Sequence, residues 1–310
     1  MIQTDAMIDF KYITLEDKPL YEEYLASEGE RGCEYSFANL YLWGRQNFAK
    51  AFGHIVMFSQ FNRRSVYPYP IGSGDKKAVI DAIIADAEAR GIPCRITGLS
   101  ASDREVLESL YPSRFRFHCD EAAFDYVYSI DDLAELSGKK YHAKRNHLNR
   151  FYESCPNYSD EPLSEANIDS AQAMVEEWFE QRLAENPNGD YHMEHTAISR
   201  AFKCREALGL EGFVLLDGDG RTIAVTFGSR IFRDTFDVHF EKARTDINGV
   251  YAAVNNEFAK YIRSKYPEIR YLNREEDMGI EGLRKAKKSY YPHHMIEKYW
   301  ACLLEDGYEY

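Results

Sequence analysis

One succession of elements, strands followed by helix, strand, helix and strand, can be read twice along this chain, and it constrains the fold more than any other feature. In the first half, Ile55 to Phe61 and Val66 to Tyr69 read as strands. Val79, Ile80, Ile83, Ile84 and Ala87 then recur at helical spacing until Gly91 and Pro93 end the run. Cys94 to Thr97 reads as a strand, Ser102 to Leu110 as a helix, and Phe115 to His118 and Phe124 to Tyr128 as further strands. The second half opens on helices, one with Ile168, Ala171, Met174, Val175, Trp178, Phe179 and Leu183 on a single stripe and one from Thr196 to Ala207, with Asn186-Pro-Asn-Gly189 as the loop between them. A hairpin follows, Gly212 to Leu216 and Thr222 to Gly228 flanking the turn Asp217-Gly-Asp-Gly220. Next come a strand at Thr235 to Phe240, a helix carrying Val250, Ala253, Val254, Phe258 and Ile262, a strand at Ile269 to Asn273, a helix at Ile280 to Ser289, and one final strand from Met295 to Leu303. Halves that share an element order imply duplication. The expected architecture is α/β (α+β) with two similar domains, residues 1–150 and 151–310.

Composition limits the setting. The six cysteines show no C-x-x-C spacing in a chain too long to need staples, so reduced thiols and a cytoplasmic location are expected. The first ten residues carry Asp5 and Asp9 where a secretory signal would be positive, and no run reaches the roughly 18 apolar residues of a spanning helix. A formal net charge of −13 opposes non-specific attachment to nucleic acid or anionic lipid except at a local basic patch.

Such a patch exists. Lys139, Lys140, Lys144, Arg145 and Arg150 fall in one segment without an acidic residue, and on a helix Tyr141, Leu148 and Phe151 would face inward. It reads either as a docking place for an anionic partner, with Arg145 and Asn146 as contacts, or as a solvated connecting helix. A second segment, Tyr271 to Pro292, gathers both signs of charge at a strand end and a helix start, where open α/β folds hold ligands. Asn273, Arg274, Glu275 and Asp277 form the leading polar constellation, while Arg284, Lys285 and Lys288 on the following helix suit phosphate or carboxylate groups. The bland alternative is a charged loop with snorkelling lysines. The stretch Glu241 to Gly249 joins a strand to a helix and reads as a weak phosphate loop or an ordinary cap, and Cys33 to Gly44 as a helix burying Phe37, Leu40, Tyr41 and Trp43. His192 and His195 lack a third ligand at a recognisable spacing, so no metal site is expected, and no nucleophile elbow, Walker loop or dinucleotide fingerprint is present.

Glu34 to Trp43, Lys139 to Arg150 and above all Asn273 to Pro292 resemble the signature stretches of a bacterial family related to the C-terminal domain of phosphatidylglycerol lysyltransferases. The resemblance covers nearly the whole chain. It implies two tandem GNAT-like domains, as in Fem-type peptidoglycan aminoacyltransferases, each with a mixed, mostly antiparallel sheet flanked by helices. It also implies transfer of an acyl or aminoacyl group to an amine or hydroxyl of a small-molecule acceptor. The donor would be aminoacyl-tRNA, met by the 139–150 segment, or acyl-coenzyme A. On this reading Arg145, Asn146, Asn273, Arg274, Arg284, Lys285 and Lys288 bind substrate, Glu275 or Asp277 orients or deprotonates the acceptor, and Tyr290 protonates the leaving group. Arg244, Asn248 and Gly249 stand where the family's cofactor loop would be, but Ile247 replaces its inner glycine. That departure keeps open a ligand-binding protein without catalysis, while the acidic net charge keeps open an acetyl-coenzyme A-dependent small-molecule N-acetyltransferase, which it suits better than a user of tRNA. On this reading no counterpart of the lysyltransferases' membrane-spanning half is expected in the sequence given.

Overall fold

A computed structural model describes residues 7–44, 46–61 and 64–304 of the 310. The chain forms two compact units, Met1–Asp125 with Ile296–Tyr310, and Tyr126–Met295.

The first unit runs β1 (Lys11–Tyr12), α1 (Lys18–Leu25), α2 (Phe37–Trp43), β2 (Gln46–Ala51), β3 (His54–Phe61), β4 (Arg64–Pro68), α3 (Lys76–Ala89), β5 (Arg95–Leu99), α4 (Ala101–Leu110) and β6 (Phe115–Cys119). The chain's last strand, β14 (Tyr299–Leu303), completes the sheet, whose order is β1-β2-β3-β4-β5-β14-β6. Only β4 and β5 pair in parallel, because α3 carries the chain back to the starting edge between them. Asp75 caps α3 by accepting from the Ala78 N–H at 3.0 Å, and the helix buries Val79, Ile80, Ile83 and Ala87, as its spacing predicts.

The second unit runs β7 (Asp125–Ser129), α5 (Ile130–Glu135), α6 (His142–Ser154), β8 (Ser159–Pro162), α7 (Ile168–Glu185), α8 (His192–Leu208), β9 (Glu211–Leu216), β10 (Thr222–Arg230), β11 (Thr235–Ala243), α9 (Val250–Lys265), β12 (Tyr271–Asn273), α10 (Glu281–Lys288) and β13 (His294–Ile296). Its sheet order is β13-β7-β12-β11-β10-β9-β8, and β11 with β12 is its parallel pair, bridged by α9. Each sheet therefore has antiparallel strands, a parallel step across a long helix, and a penultimate strand from a distant part of the chain. No helix among the described residues is long and apolar enough to cross a membrane.

That penultimate strand separates observation from expectation. Asp125–Ser129, read with the first half, lies between β12 and β13 in the second sheet. The stretch expected as one strand from Met295 to Leu303 breaks instead into β13 and β14, which belong to different sheets. The unit boundaries accordingly fall after Asp125 and Met295 and not at residue 150. The physical reason is burial: Asp125, Tyr126, Val127 and Tyr128 are all buried, which requires ladder partners on both edges. The helix of Cys33 to Gly44 also turns otherwise than expected, burying Ala38 and Leu42 and leaving Tyr41 and Trp43 half-buried.

Between β13 and β14 the chain turns Lys298 into the first unit, where its ammonium meets Asp125 at 2.6 Å and Glu34 at 2.8 Å. Removing one partner of such a pair leaves a buried charge uncompensated. Lys298→Ala is expected to lower unfolding free energy by about 3 kcal/mol in urea titration, and adding Asp125→Asn should restore part of the loss.

Candidate functional site

The parallel ladder of β11 and β12 lasts three residue pairs, Thr235 with Tyr271, Phe236 with Leu272 and Asp237 with Asn273. β11 continues to Ala243, but the chain beyond Asn273 turns to β7: the Arg274 N–H donates to the Tyr126 carbonyl and the Tyr126 N–H to the Glu275 carbonyl. Strands that pair and then part leave a gap between them, a cleft spanned by the side chains of Arg274 and Glu275, which reach Glu241 and His239 of β11.

Arg274 reaches Glu241 of β11 at 3.1 Å, with the rings of Tyr128 and Tyr290 at 5.9 and 5.3 Å from its guanidinium carbon. With the Asn255 amide turned so that its oxygen faces the guanidinium, it accepts from Nε and Nη1 at 3.2 and 3.3 Å. The other oxygen of Glu241, Oε2, is buried and meets no donor. Lys144 of α6 places its ammonium 3.8 Å from the centre of the Tyr290 ring. Burial, with the Arg274 guanidinium as the second cause, lowers Lys144 to about 8. Burial likewise pushes the Tyr290 hydroxyl up to about 12, so it stays protonated at neutral pH.

Glu275 approaches the imidazole of His239 at 3.4 Å, and Asp237 stands 3.5 Å from the same Nδ1. The opposite ring nitrogen lies 2.8 Å from the Ser229 hydroxyl. His239 is the extra residue where the β10–β11 register slips, Phe227 pairing with Phe240 and Gly228 with Val238. Such a bulge re-aims a side chain. The ligand atoms of Asp237, His239 and Glu275 lie within 4.8 Å of one another, a set compatible with a divalent ion. A second such group, Cys33, Glu34 and Asp125, already receives the Lys298 ammonium.

The loop behind the cleft is tied down by groups that the sequence reading assigned to chemistry or overlooked. Asp277 is fully buried and accepts from Arg284 Nε at 2.7 Å and Nη2 at 3.0 Å, from the Tyr126 hydroxyl at 2.6 Å and from the Gly279 N–H at 2.8 Å. The Arg284 hydrogen bonds, helped by Tyr126 and Gly279, hold its carboxyl down to about 2. A carboxylate so saturated is a poor base and a good clamp; of the expected pair, Glu275 is the one that reaches across to β11, at His239. Asn273 is buried and its side-chain oxygen accepts from the Glu275 N–H at 2.8 Å, turning the chain. Lys287, unremarkable in sequence, is buried and donates to the carbonyls of Arg274, Glu275 and Glu276. Lys285 and Lys288 lie exposed on α10.

Other expected contacts go elsewhere. Arg145 donates to the carbonyls of Leu136 and Gly138, and with Asn146 lines a separate groove beside α5 and α9. Arg244 pairs with Glu177 at 2.7 Å and Asp246 at 3.4 Å, and Asn248 is exposed. Gly249, at φ 81°, lies so close to α6 that an added Cβ would stand 2.1 Å from the His147 carbonyl oxygen. Its glycine answers to a neighbouring helix, and these three residues do not form an open phosphate cradle.

A mixed sheet parted beside its parallel step, doubled along the chain, is a tandem GNAT-like architecture, the fold expected from the sequence. The family model described as phosphatidylglycerol lysyltransferase, C-terminal, matches residues 26–302, and the chain belongs to that family. It is 40% identical to a conserved protein of unknown function from Bacteroides thetaiotaomicron VPI-5482, whose crystal structure superposes with a TM-score of 0.90 over 96% of this chain and 100% of that one. L-PGS from Bacillus licheniformis matches at 16% identity and a TM-score of 0.66 over 92% and 91% of the two chains, and FemX at 10% and 0.60 over 96% and 98%. These two likenesses show the fold alone. Comparison with curated proteins finds no match. The family takes its name from a transferase.

Lys144 offers a direct test of the cleft's electrostatics. Its folded value of about 8 lies below the ordinary lysine value, so the unfolded chain binds more protons between the two and stability rises with pH across that window. In NMR spectra of 13C-methylated lysines its signal is expected to titrate near pH 8, and Arg274→Ala should move the midpoint upward.

Proposed function

We propose that the protein transfers an aminoacyl or acyl group to an amine or hydroxyl acceptor in the cleft between β11 and the loop at 274–277. The observation that carries this reading is the pairing of two unlike groups around Arg274 and Tyr290: a buried glutamate oxygen, Glu241 Oε2, that meets no donor, and a lysine, Lys144, brought to about 8. Perturbed groups gathered in a cleft mark functional sites.

Glu241 and Glu275 are the acceptors suited to an ammonium group, which favours an aminoacyl donor over an acetyl one. The closed surroundings of Gly249 argue in the same direction, against coenzyme A held in the standard way. The family name adds phosphatidylglycerol as an acceptor class to test.

In the proposed reaction, neutral Lys144 takes the proton from the acceptor's hydroxyl or amine. The freed lone pair attacks the donor's ester carbonyl carbon, forming the new bond. Arg274 supplies positive potential for the charge that develops on the carbonyl oxygen. The carbon–oxygen bond to the leaving group then breaks, and the departing oxygen takes a proton from the Lys144 ammonium. Tyr290, protonated at neutral pH, is placed to assist.

The full chain would be incubated with lysyl-tRNA, alanyl-tRNA or acetyl-coenzyme A together with phosphatidylglycerol vesicles or polar amines, and acceptors followed by mass spectrometry. A donor-sized mass increment on one acceptor is expected. Lys144→Met should reduce kcat/KM by roughly 100-fold or more, the usual worth of general acid–base catalysis. Wild-type turnover in both Lys144→Met and Arg274→Ala would sink the assignment.

A further inference from the structure

One imidazole nitrogen faces two carboxylates where the sheet of the second unit parts. His239 Nδ1 stands 3.4 Å from Glu275 Oε1 and 3.5 Å from Asp237 Oδ2, and the three ligand atoms all lie within 4.8 Å of one another. Asp237 and His239 belong to β11, and Glu275 comes from the loop after β12, just past the last ladder pair of Asp237 with Asn273.

These spacings suit an ion better than hydrogen bonds. An N–H···O bond is usually about 2.7–3.2 Å long, and the one proton that Nδ1 can carry points to one acceptor, not to two at nearly equal range. Ligands on the corners of a tetrahedron, each about 2.1 Å from a central zinc ion, stand about 3.4 Å apart. The other side of the ring matches that role. Nε2 lies 2.8 Å from the Ser229 hydroxyl of β10. With the ring proton on Nε2, Ser229 accepts it, the imidazole is held in place, and the Nδ1 lone pair is turned toward the carboxylates. The side chains of His239 and Asp237 are fully buried, while that of Glu275 is 21% exposed and is the member an entering ion meets first.

An imidazole with two carboxylates is a donor set for zinc or a similar first-row dication, whereas calcium and magnesium take oxygen ligands. We propose that Asp237, His239 and Glu275 form a zinc site that joins the 274–277 loop to β11 just beyond the point where their backbones cease to pair. Glu275 would then serve the ion, and the ammonium of an aminoacyl donor would fall to Glu241.

The test uses the full chain, stripped of metal with a chelator, dialysed, and kept reduced with a phosphine. Titration with zinc chloride is followed by calorimetry, and titration with cobalt chloride by absorption. One ion per chain is expected to bind, with the visible d–d bands of four-coordinate cobalt and no thiolate charge-transfer band, and zinc should raise Tm. Glu275→Gln, at a half-buried position, should weaken either ion roughly tenfold or more, and Ser229→Ala, which removes the support of the imidazole, about tenfold. His239→Gln should abolish the cobalt bands; should that variant not fold, Glu275→Gln still decides. No saturable binding, a charge-transfer band placing the ion on cysteines, or an unchanged affinity in Glu275→Gln would each overturn the proposal. Neither donor nor acceptor is present, so the result does not depend on turnover.

Discussion

Three successive backbone carbonyls, those of Arg274, Glu275 and Glu276, converge on the Lys287 ammonium, and the geometry of the cleft depends on their doing so. Carbonyls turned to one point bend the backbone tightly, and Glu275 takes φ 56°, a region that costs a non-glycine residue about 1 kcal/mol or more. Hydrogen bonds to a charged group are worth roughly 1.5–3 kcal/mol each, enough to hold the bend. Two tyrosines of β7 complete the arrangement, Tyr128 donating to the Lys287 carbonyl and Tyr126 to Asp277. The bend delivers Arg274 to Glu241 and Glu275 to His239, so the clamp behind the loop sets the chemistry in front of it.

The opposing wall depends on a different irregularity. Phe236 and Val238 of β11 join the core cluster that contains α9, yet so does Ala243, an odd-numbered position on the same strand. Strict alternation cannot put all three on one face; the extra residue at His239 allows it. Past the bulge Glu241 shares the face of Ala243, toward Arg274 and Asn255, while Lys242 turns to the other side and lies 3.7 Å from the Trp178 ring. Without that slip the cleft would present Lys242 in place of Glu241.

Much of this was legible in the sequence, for definable reasons. The hairpin around Asp217 to Gly220, α3, α9 and the polar loop at 273–277 all announce themselves within a short window, through turn residues or helical spacing. The placement of β7 and β14 did not, because a strand's neighbours are chosen by long-range burial and not by its own residues. Nor did Glu241, Asn255 and Lys287, single polar residues that look solvated until the surrounding elements are known, and Lys144 showed only as one member of a basic patch, not as a buried amine. Asn255, Asn256 and Glu257 are the plainest case: they fall off the apolar stripe of α9, yet are only 3%, 2% and 8% exposed. A helix enclosed by a sheet on one side and by α5 and α6 on others has little outer face for them to occupy.

Gly249 shows how a partial motif can match for another reason. With Arg244 it fits the ends of the family's cofactor loop, but the space beside its Cα is filled by the backbone of α6. That close approach has a consequence in the cleft. His147, whose carbonyl touches the glycine, lies three residues after Lys144 on the same helix, nearly one turn away. Any side chain at position 249 would have to push α6 outward, and Lys144 would leave the Tyr290 ring and the burial that lowers it to about 8. The glycine that the motif would give to a phosphate thus fixes the position of the lysine on which proton transfer is proposed to depend.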